Sequence, residues 1–169
     1  MKRNIRAHVE QELLDNYQKY YRLAYSYVKN EADALDIVQE SAYKAMKNCG
    51  KLKEEAFTDT WIYRIVINTA LDFIRKAQKD MEADEDYMEQ SMNEEGYEKA
   101  DIMATLSTLP TKDRSVLILR YFESFKLEQI AEMTGESLST VKSRLYRAQE
   151  KLRAKLEPDI TQRAVERRI

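Results

Sequence analysis

Residues 126–156 read KLEQIAEMTGESLSTVKSRLYRAQEKLRAKL, and the architecture of the chain follows from them. The stretch parses as a short helix, a glycine-marked turn and a longer basic helix. Leu127, Ile130 and Ala131 share one face of the first helix at helical spacing. Gly135 supplies the positive φ that a sharp helix exit needs, and Ser137 is placed to cap the next helix. In that second helix Leu138, Val141, Leu145, Ala148 and Leu152 form an apolar stripe. Ser139, Lys142, Ser143, Tyr146 and Arg147 form another, roughly 150° away at about 100° per residue.

One face is therefore apolar, and the other carries cations, hydroxyls and an aromatic ring. That is the layout of a helix-turn-helix whose second helix enters a DNA major groove. Arg and Lys donate to guanine or phosphate, Ser bonds to either, and a Tyr ring packs on thymine methyls or sugars. Residues 137–155 hold six Lys or Arg and one acid, Glu150. An ordinary amphipathic helix with a solvated face would share this stripe. The short helix and glycine turn ahead of it favour the groove-binding reading.

Composition narrows the rest. A chain of 169 residues fits one domain or two small ones. Three Gly, two Pro and many helix formers predict an all-α protein. The net charge of −2 means that any DNA contact relies on local basic patches. A single cysteine, Cys49, excludes an internal disulfide framework and suits a reducing cytosol. The N-terminal MKRNIRAHVEQELL lacks the apolar core of a signal peptide, and no apolar run reaches the ~18 residues of a membrane span. The only histidine, His8, falls in a terminus expected to fray, and Cys49 falls in a loop. Neither has the partners of a Ser/His/Asp, Cys/His or HExxH arrangement. No catalytic residue, metal, cofactor or small-molecule substrate is expected.

Taken in order, residues 11–29 read as one helix with Leu13, Tyr17, Tyr20, Ala24 and Tyr27 in a stripe widened by Leu14, Tyr21 and Val28. Such a tyrosine stripe reads as core whose hydroxyls reach its rim. Asn30 is placed to cap a helix running to about Asn48. Leu35, Val38, Ala42 and Ala45 would face the core, and Asp36, Gln39, Glu40, Tyr43 and Lys47 would face outward. Residues 49–59 read as a loop. Thr58 or Asp59 would cap the next helix, whose core stripe is Ile62, Ile65, Val66, Thr69 and Phe73. Its other face carries Trp61, Arg64, Asn68, Asp72 and Arg75. Trp with Arg and Asn can stack unpaired bases and hold a phosphate backbone, although Trp61 also suits a core anchor. Residues 81–100 hold eight acids and one base and read as a linker repelled by DNA. Ile102, Leu106 and Leu109 restart the helical pattern until Pro110, and residues 113–124 form a compact core element. Pro158 is expected to end the long helix, with a frayed tail beyond.

The order of these pieces resembles an extracytoplasmic-function sigma factor of bacterial RNA polymerase. Three strings carry the resemblance, which spans residues 13–156. YYRLAYSYVKNEADALDIVQESAYKAM, with DALDIVQE (33–40) its most specific part, looks like the polymerase-binding segment. FTDTWIYRIVINTALDFIRK looks like the helix that recognises and melts the −10 element. LSTLPTKDRSVLILRYFESFKLEQIAEMTGESLSTVKSRLYRAQEKL looks like the −35 binding domain. The first half is also similar to sigma-V-type members.

The resemblance implies two small helical domains joined by an acidic linker: residues 1–80, 81–100 and 101–169, the last with the helix-turn-helix. Asp33, Asp36, Gln39 and Glu40 would contact the β′ coiled coil of the polymerase core, where a carboxylate row suits Arg forks. The β flap is the second core contact implied. The loop of residues 50–57 would hold a flipped base. Its acidic middle departs from the family pattern. Trp61, Arg64, Asn68, Asp72 and Arg75 would line the opened strand. Ser139, Lys142, Ser143, Tyr146 and Arg147 would read the −35 element, with Arg144, Arg120 and Lys151 toward phosphates. The implied partners are core polymerase, promoter DNA and an anti-sigma factor, often membrane-anchored. The implied function is promoter recognition, DNA melting and transcription initiation in the cytoplasm, in a stress response. The sequence alone leaves open a stand-alone helix-turn-helix regulator that binds a palindrome as a dimer.

Overall fold

The computed structural model describes residues 2–83 and 99–166, and within them every regular element is helical. The chain runs α1 (Lys2–Asp15), α2 (Tyr17–Val28), α3 (Glu31–Asn48), α4 (Thr58–Ala83), α5 (Lys99–Ser107), α6 (Thr111–Leu117), a π-helical turn (Ile118–Phe122), α7 (Leu127–Thr134) and α8 (Leu138–Glu166). Most of the acidic segment expected over 81–100 lies outside the described residues.

Local signals act where the sequence puts them. Asn30 Oδ1 accepts from Asp33 N at 3.0 Å and caps α3. Ser137 Oγ accepts from Thr140 N at 3.2 Å and caps α8. Gly135 takes φ 70° at the end of α7, a conformation that costs a residue with a Cβ. Val141 and Ala148 of the α8 stripe are fully buried, with Leu145 and Leu152 packed beside them.

Several expectations are corrected. The helix read over 11–29 breaks at Asn16 into α1 and α2. The N-terminus is ordered helix around His8, because Val9 is fully buried and pins α1 to the core. Leu35 is exposed: the buried stripe of α3 is Ala34, Ile37, Val38, Ser41 and Ala45, and Leu35 sits one residue to its side. Ile102 is also exposed, whereas Leu106 and Leu109 are buried. Tyr121 and Phe122 leave the expected core element because the wider π turn swings them toward solvent. The long helix continues past Pro158 to Glu166. A helical proline forfeits one backbone bond and crowds a carbonyl, which disfavours the helix without forbidding it.

The two halves of the chain share one core. Tyr20, Tyr27, Tyr63 and Ile67 from α2 and α4 belong to the same buried cluster as Val116, Phe125, Ile130 and Met133. The Tyr63 ring stands edge-on to Tyr20 at 4.9 Å and to Phe125 at 4.8 Å. Its hydroxyl donates to Glu123 at 2.9 Å. The Tyr27 hydroxyl is bonded to Ser115 Oγ. Arg114, buried, donates to the carbonyls of Ser107 at 3.2 Å and Tyr27 at 3.3 Å. This seam therefore satisfies its polar groups as it excludes water. Among the described residues, the two non-glycine residues at positive φ both border it. Lys29 (φ 55°) donates to the Ser107 carbonyl, and Ser124 (φ 58°) sits between Glu123 and Phe125.

Candidate nucleic-acid interface

The outward face of α8 is built by its own buried stripe. With Val141 and Ala148 fixed in the core, Ser139, Lys142, Ser143, Tyr146 and Arg147 are turned to solvent. Tyr146 leaves 64% of its surface bare, and the Arg147 Nε–H reaches only the carbonyl of Ser143, one turn back, at 3.4 Å.

Arg144 departs from this set. Its guanidinium donates to both oxygens of Glu136 at 3.1 and 3.2 Å and to Asp113 Oδ1 at 3.3 Å. Only 17% of its side chain remains exposed. Lys151 donates to Asp113 Oδ2 at 2.9 Å, and Arg120 donates to the Phe125 carbonyl at 2.9 Å. The three residues expected to touch phosphates are thus each bonded to other groups of the protein. Helical periodicity counts cations along one element and cannot see acids contributed by another. Nothing in the spacing of Asp113 and Glu136 announces these pairs.

In the N-terminal half, Asp36, Gln39 and Glu40 are exposed on α3, and Asp33 is half-buried beside the cap. Glu40 pairs with Lys44 at 3.8 Å, a surface ion pair of little energetic weight. Leu35 and Tyr43 are exposed on the same helix, so the acid row is flanked by apolar surface. Tyr43 was legible as outward; Leu35 was not, because an apolar residue near a stripe reads as core.

On α4, Arg64, Asn68, Asp72 and Arg75 are exposed, with Asp72 and Arg75 paired at 3.5 Å. Trp61 is half-buried and packs on the core. Its exposed part helps line a cleft of about 260 Å3 between α3 and α4, shared with Lys44, Asn48, Lys51, Ile65, Asn68 and Thr69. Lys44, Asn48 and Lys51 are functional candidates that sequence reasoning passed over. They project from the end of α3 and the turn after it, and only packing brings them opposite Trp61. An aromatic edge, amides and ammonium groups around one concavity can stack a base and hold its phosphate. Among the described residues no group of three or more His, Cys, Asp or Glu is arranged to hold a metal.

Comparison with known proteins decides the family. The sigma-70 region 2 model matches residues 13–80, and the sigma-70 region 4 model matches residues 99–152. The chain is 44% identical over 146 residues to RNA polymerase sigma factor SigV of Bacillus subtilis (strain 168), covering 85% of this chain and 88% of that one. The chain belongs to the extracytoplasmic-function branch of the sigma-70 family. This sigma factor is also 30% identical over 163 residues to the ECF sigma factor SigW of the same organism, covering 86% of this chain and 87% of that one. Its fold is that of the sigma factor RpoE solved with the anti-sigma factor NepR from Bartonella quintana. The TM-score is 0.78 at 24% identity, over 88% of this chain and 96% of that one. It is therefore a transcription initiation factor that directs promoter recognition and DNA melting, and the stand-alone regulator is set aside. Region 4 takes in α5, α6, α7 and the outward face of α8; region 2 takes in the acid row and the exposed face of α4.

Proposed function

We propose that three exposed faces divide the work of initiation. Asp33, Asp36, Gln39 and Glu40 on α3 dock on basic groups of the polymerase β′ coiled coil, and Leu35 and Tyr43 add apolar contact at the edges. Arg64, Asn68, Asp72 and Arg75, with Trp61 and the cleft beside it, line the path of the opened −10 strand and hold an unstacked base. Opening costs a few kcal/mol per unstacked step, and base capture offsets part of that. Ser139, Lys142, Ser143, Tyr146 and Arg147 read the −35 duplex in the major groove. Arg144 holds the helix in place and does not itself touch a base.

The observation that carries this reading is the bare polar face of α8 directly opposite its buried stripe. The segment over 81–100 tethers the domains of residues 1–80 and 101–169. Joining two modest sites in this way raises effective concentration without new contacts, and polymerase supplies the remaining affinity. No step requires covalent chemistry by this chain, so catalysis belongs to the polymerase. Control by an anti-sigma factor is supported by the solved complex of RpoE with NepR. The site of action is the cytoplasm. No helix among the described residues is long and apolar enough to cross a membrane.

The test is transcription from a genomic fragment library with core polymerase, mapping the starts. Starts sharing a −35/−10 pair, seen only when this chain and core are both present, are expected. Asp36→Arg should reduce capture of the chain by core polymerase. Tight dimeric binding to a palindrome without polymerase would sink the proposal.

A further inference from the structure

Arg144, Arg147 and Lys151 follow one another at i, i+3 and i+7 along α8, forming a single ridge beside the reading face. Three cations on such a ridge would be expected to grip a phosphate backbone together. The structure treats them unequally. Arg144 is forked onto Glu136 and also bonded to Asp113, and Lys151 is bonded to the other oxygen of Asp113. Asp113 comes from α6, 31 residues before Arg144, and its side chain is only 8% exposed. Glu136 lies in the turn before α8 and also pairs with Lys112 at 3.7 Å. Arg147, in the middle of the ridge, is left pointing outward.

We propose that Asp113 and Glu136 are specificity-determining residues that withhold Arg144 and Lys151 from the DNA backbone. The inference rests on the reading of α8 as the DNA-facing helix. Contacts to phosphate are indifferent to sequence, whereas contacts to base edges carry the information. A helix with every cation free would hold any duplex, and its discrimination would fall. By pairing two of the three ridge cations internally, the carboxylates leave Arg147 and Lys142 as the basic groups facing the groove. Sequence-independent binding by the helix is thereby reduced, and its weight shifts to Ser139, Ser143, Tyr146 and Arg147. Asp113 also orients α8 on α6. Orientation alone does not alter how many phosphates are neutralised, so the salt dependence of binding separates the two roles.

The experiment measures binding of the full-length chain to a short random-sequence duplex by fluorescence anisotropy across a salt series at low ionic strength. Each phosphate neutralised adds about 0.9 to the slope of log K against log salt. Asp113→Asn keeps the shape of the side chain and removes its charge. It should steepen the slope by about one and tighten binding at the lowest salt. The double variant with Lys151→Gln should return the slope to the wild-type value. Lys151→Gln alone, at a half-exposed position that does not threaten folding, should leave the slope unchanged because its ammonium is already engaged. Lys142→Gln should lower the slope by about one. An unchanged slope in Asp113→Asn, or a drop of about one in Lys151→Gln while Lys142→Gln behaves as stated, overturns the inference and leaves the DNA-facing reading intact. No salt-dependent binding by the wild type, or no effect of Lys142→Gln, overturns that reading and the inference with it.

Discussion

Tyr27 and Arg114 lie at the seam between the two halves of the chain; Tyr146 and Arg147 lie on the outer face of α8. The residue types are the same, and their circumstances are opposite. At the seam the Tyr27 hydroxyl is bonded to Ser115, and the Arg114 guanidinium donates to two backbone carbonyls. On α8 the phenol of Tyr146 is mostly bare, and Arg147 faces solvent. Burying a polar group without a partner costs more than the pairing of it contributes. The seam groups therefore hold structure together, while the α8 groups face solvent. What distinguishes them is the presence or absence of a second element packed on top.

That contrast can be broken by substitution, and the largest effect is expected at the seam. Tyr63→Ala removes a ring buried between Tyr20 and Phe125. It should cost about 3–5 kcal/mol of unfolding free energy, the range for emptying a large aromatic site. Chemical denaturation measures it, and a loss under about 1 kcal/mol would show that the halves do not depend on each other. Arg147→Ala should do the reverse. Stability should stay within ±0.5 kcal/mol of the parent, as is usual for surface positions. Transcription that depends on the −35 element should fall by roughly fivefold or more, matching about 1–3 kcal/mol for one good base contact. Capture by core polymerase should be unchanged. A destabilised Arg147→Ala would place that residue with the seam.

The smallest effect sharpens the contrast by pH. Burial pushes the Tyr27 phenol from its ordinary 10.0 up to about 12, although the Ser115 bond and the Arg114 charge pull it down. Tyr20 and Tyr63 are also raised, first by burial and then by the nearby carboxylates of Glu12 and Glu123. A phenol whose folded value is raised holds its proton longer than the unfolded chain does. Above pH 10 the unfolded state binds fewer protons, so stability declines as pH rises. For Tyr27 the full contribution is present below pH 10 and is lost between about 10 and 12. Tyr27→Phe should cost about 1 kcal/mol at neutral pH, one lost hydrogen bond, and its alkaline decline should be shallower. Thermal melts from pH 8 to 12 read both effects, and an unchanged alkaline slope would count against a buried Tyr27 phenol.

Which side chains the candidate faces turn outward was largely legible in the amino-acid order. The outward face of α8 follows from a stripe with helical period, and its start follows from Ser137 and Gly135. The acid row of α3 follows in the same way from Asn30 and the residues after it. The internal pairing of Arg144 was not legible, because its partner Asp113 lies 31 residues earlier. The second buried side of α4, made by Tyr63, Ile67 and Ala70, was also missed. A pattern that counts one core stripe per helix has no place for a helix covered on two sides.

Period, caps and breakers are local. They set the free energy of each helix from residues a turn apart, which is why the amino-acid order alone determined the all-helical class, the turn before α8 and the face that α8 presents. The joining of the halves depends on groups 60 and 88 residues apart, Tyr63 with Glu123 and Tyr27 with Ser115. Which such pairs meet, and which cations they leave free, depends on how whole elements pack, and only the folded chain decides that.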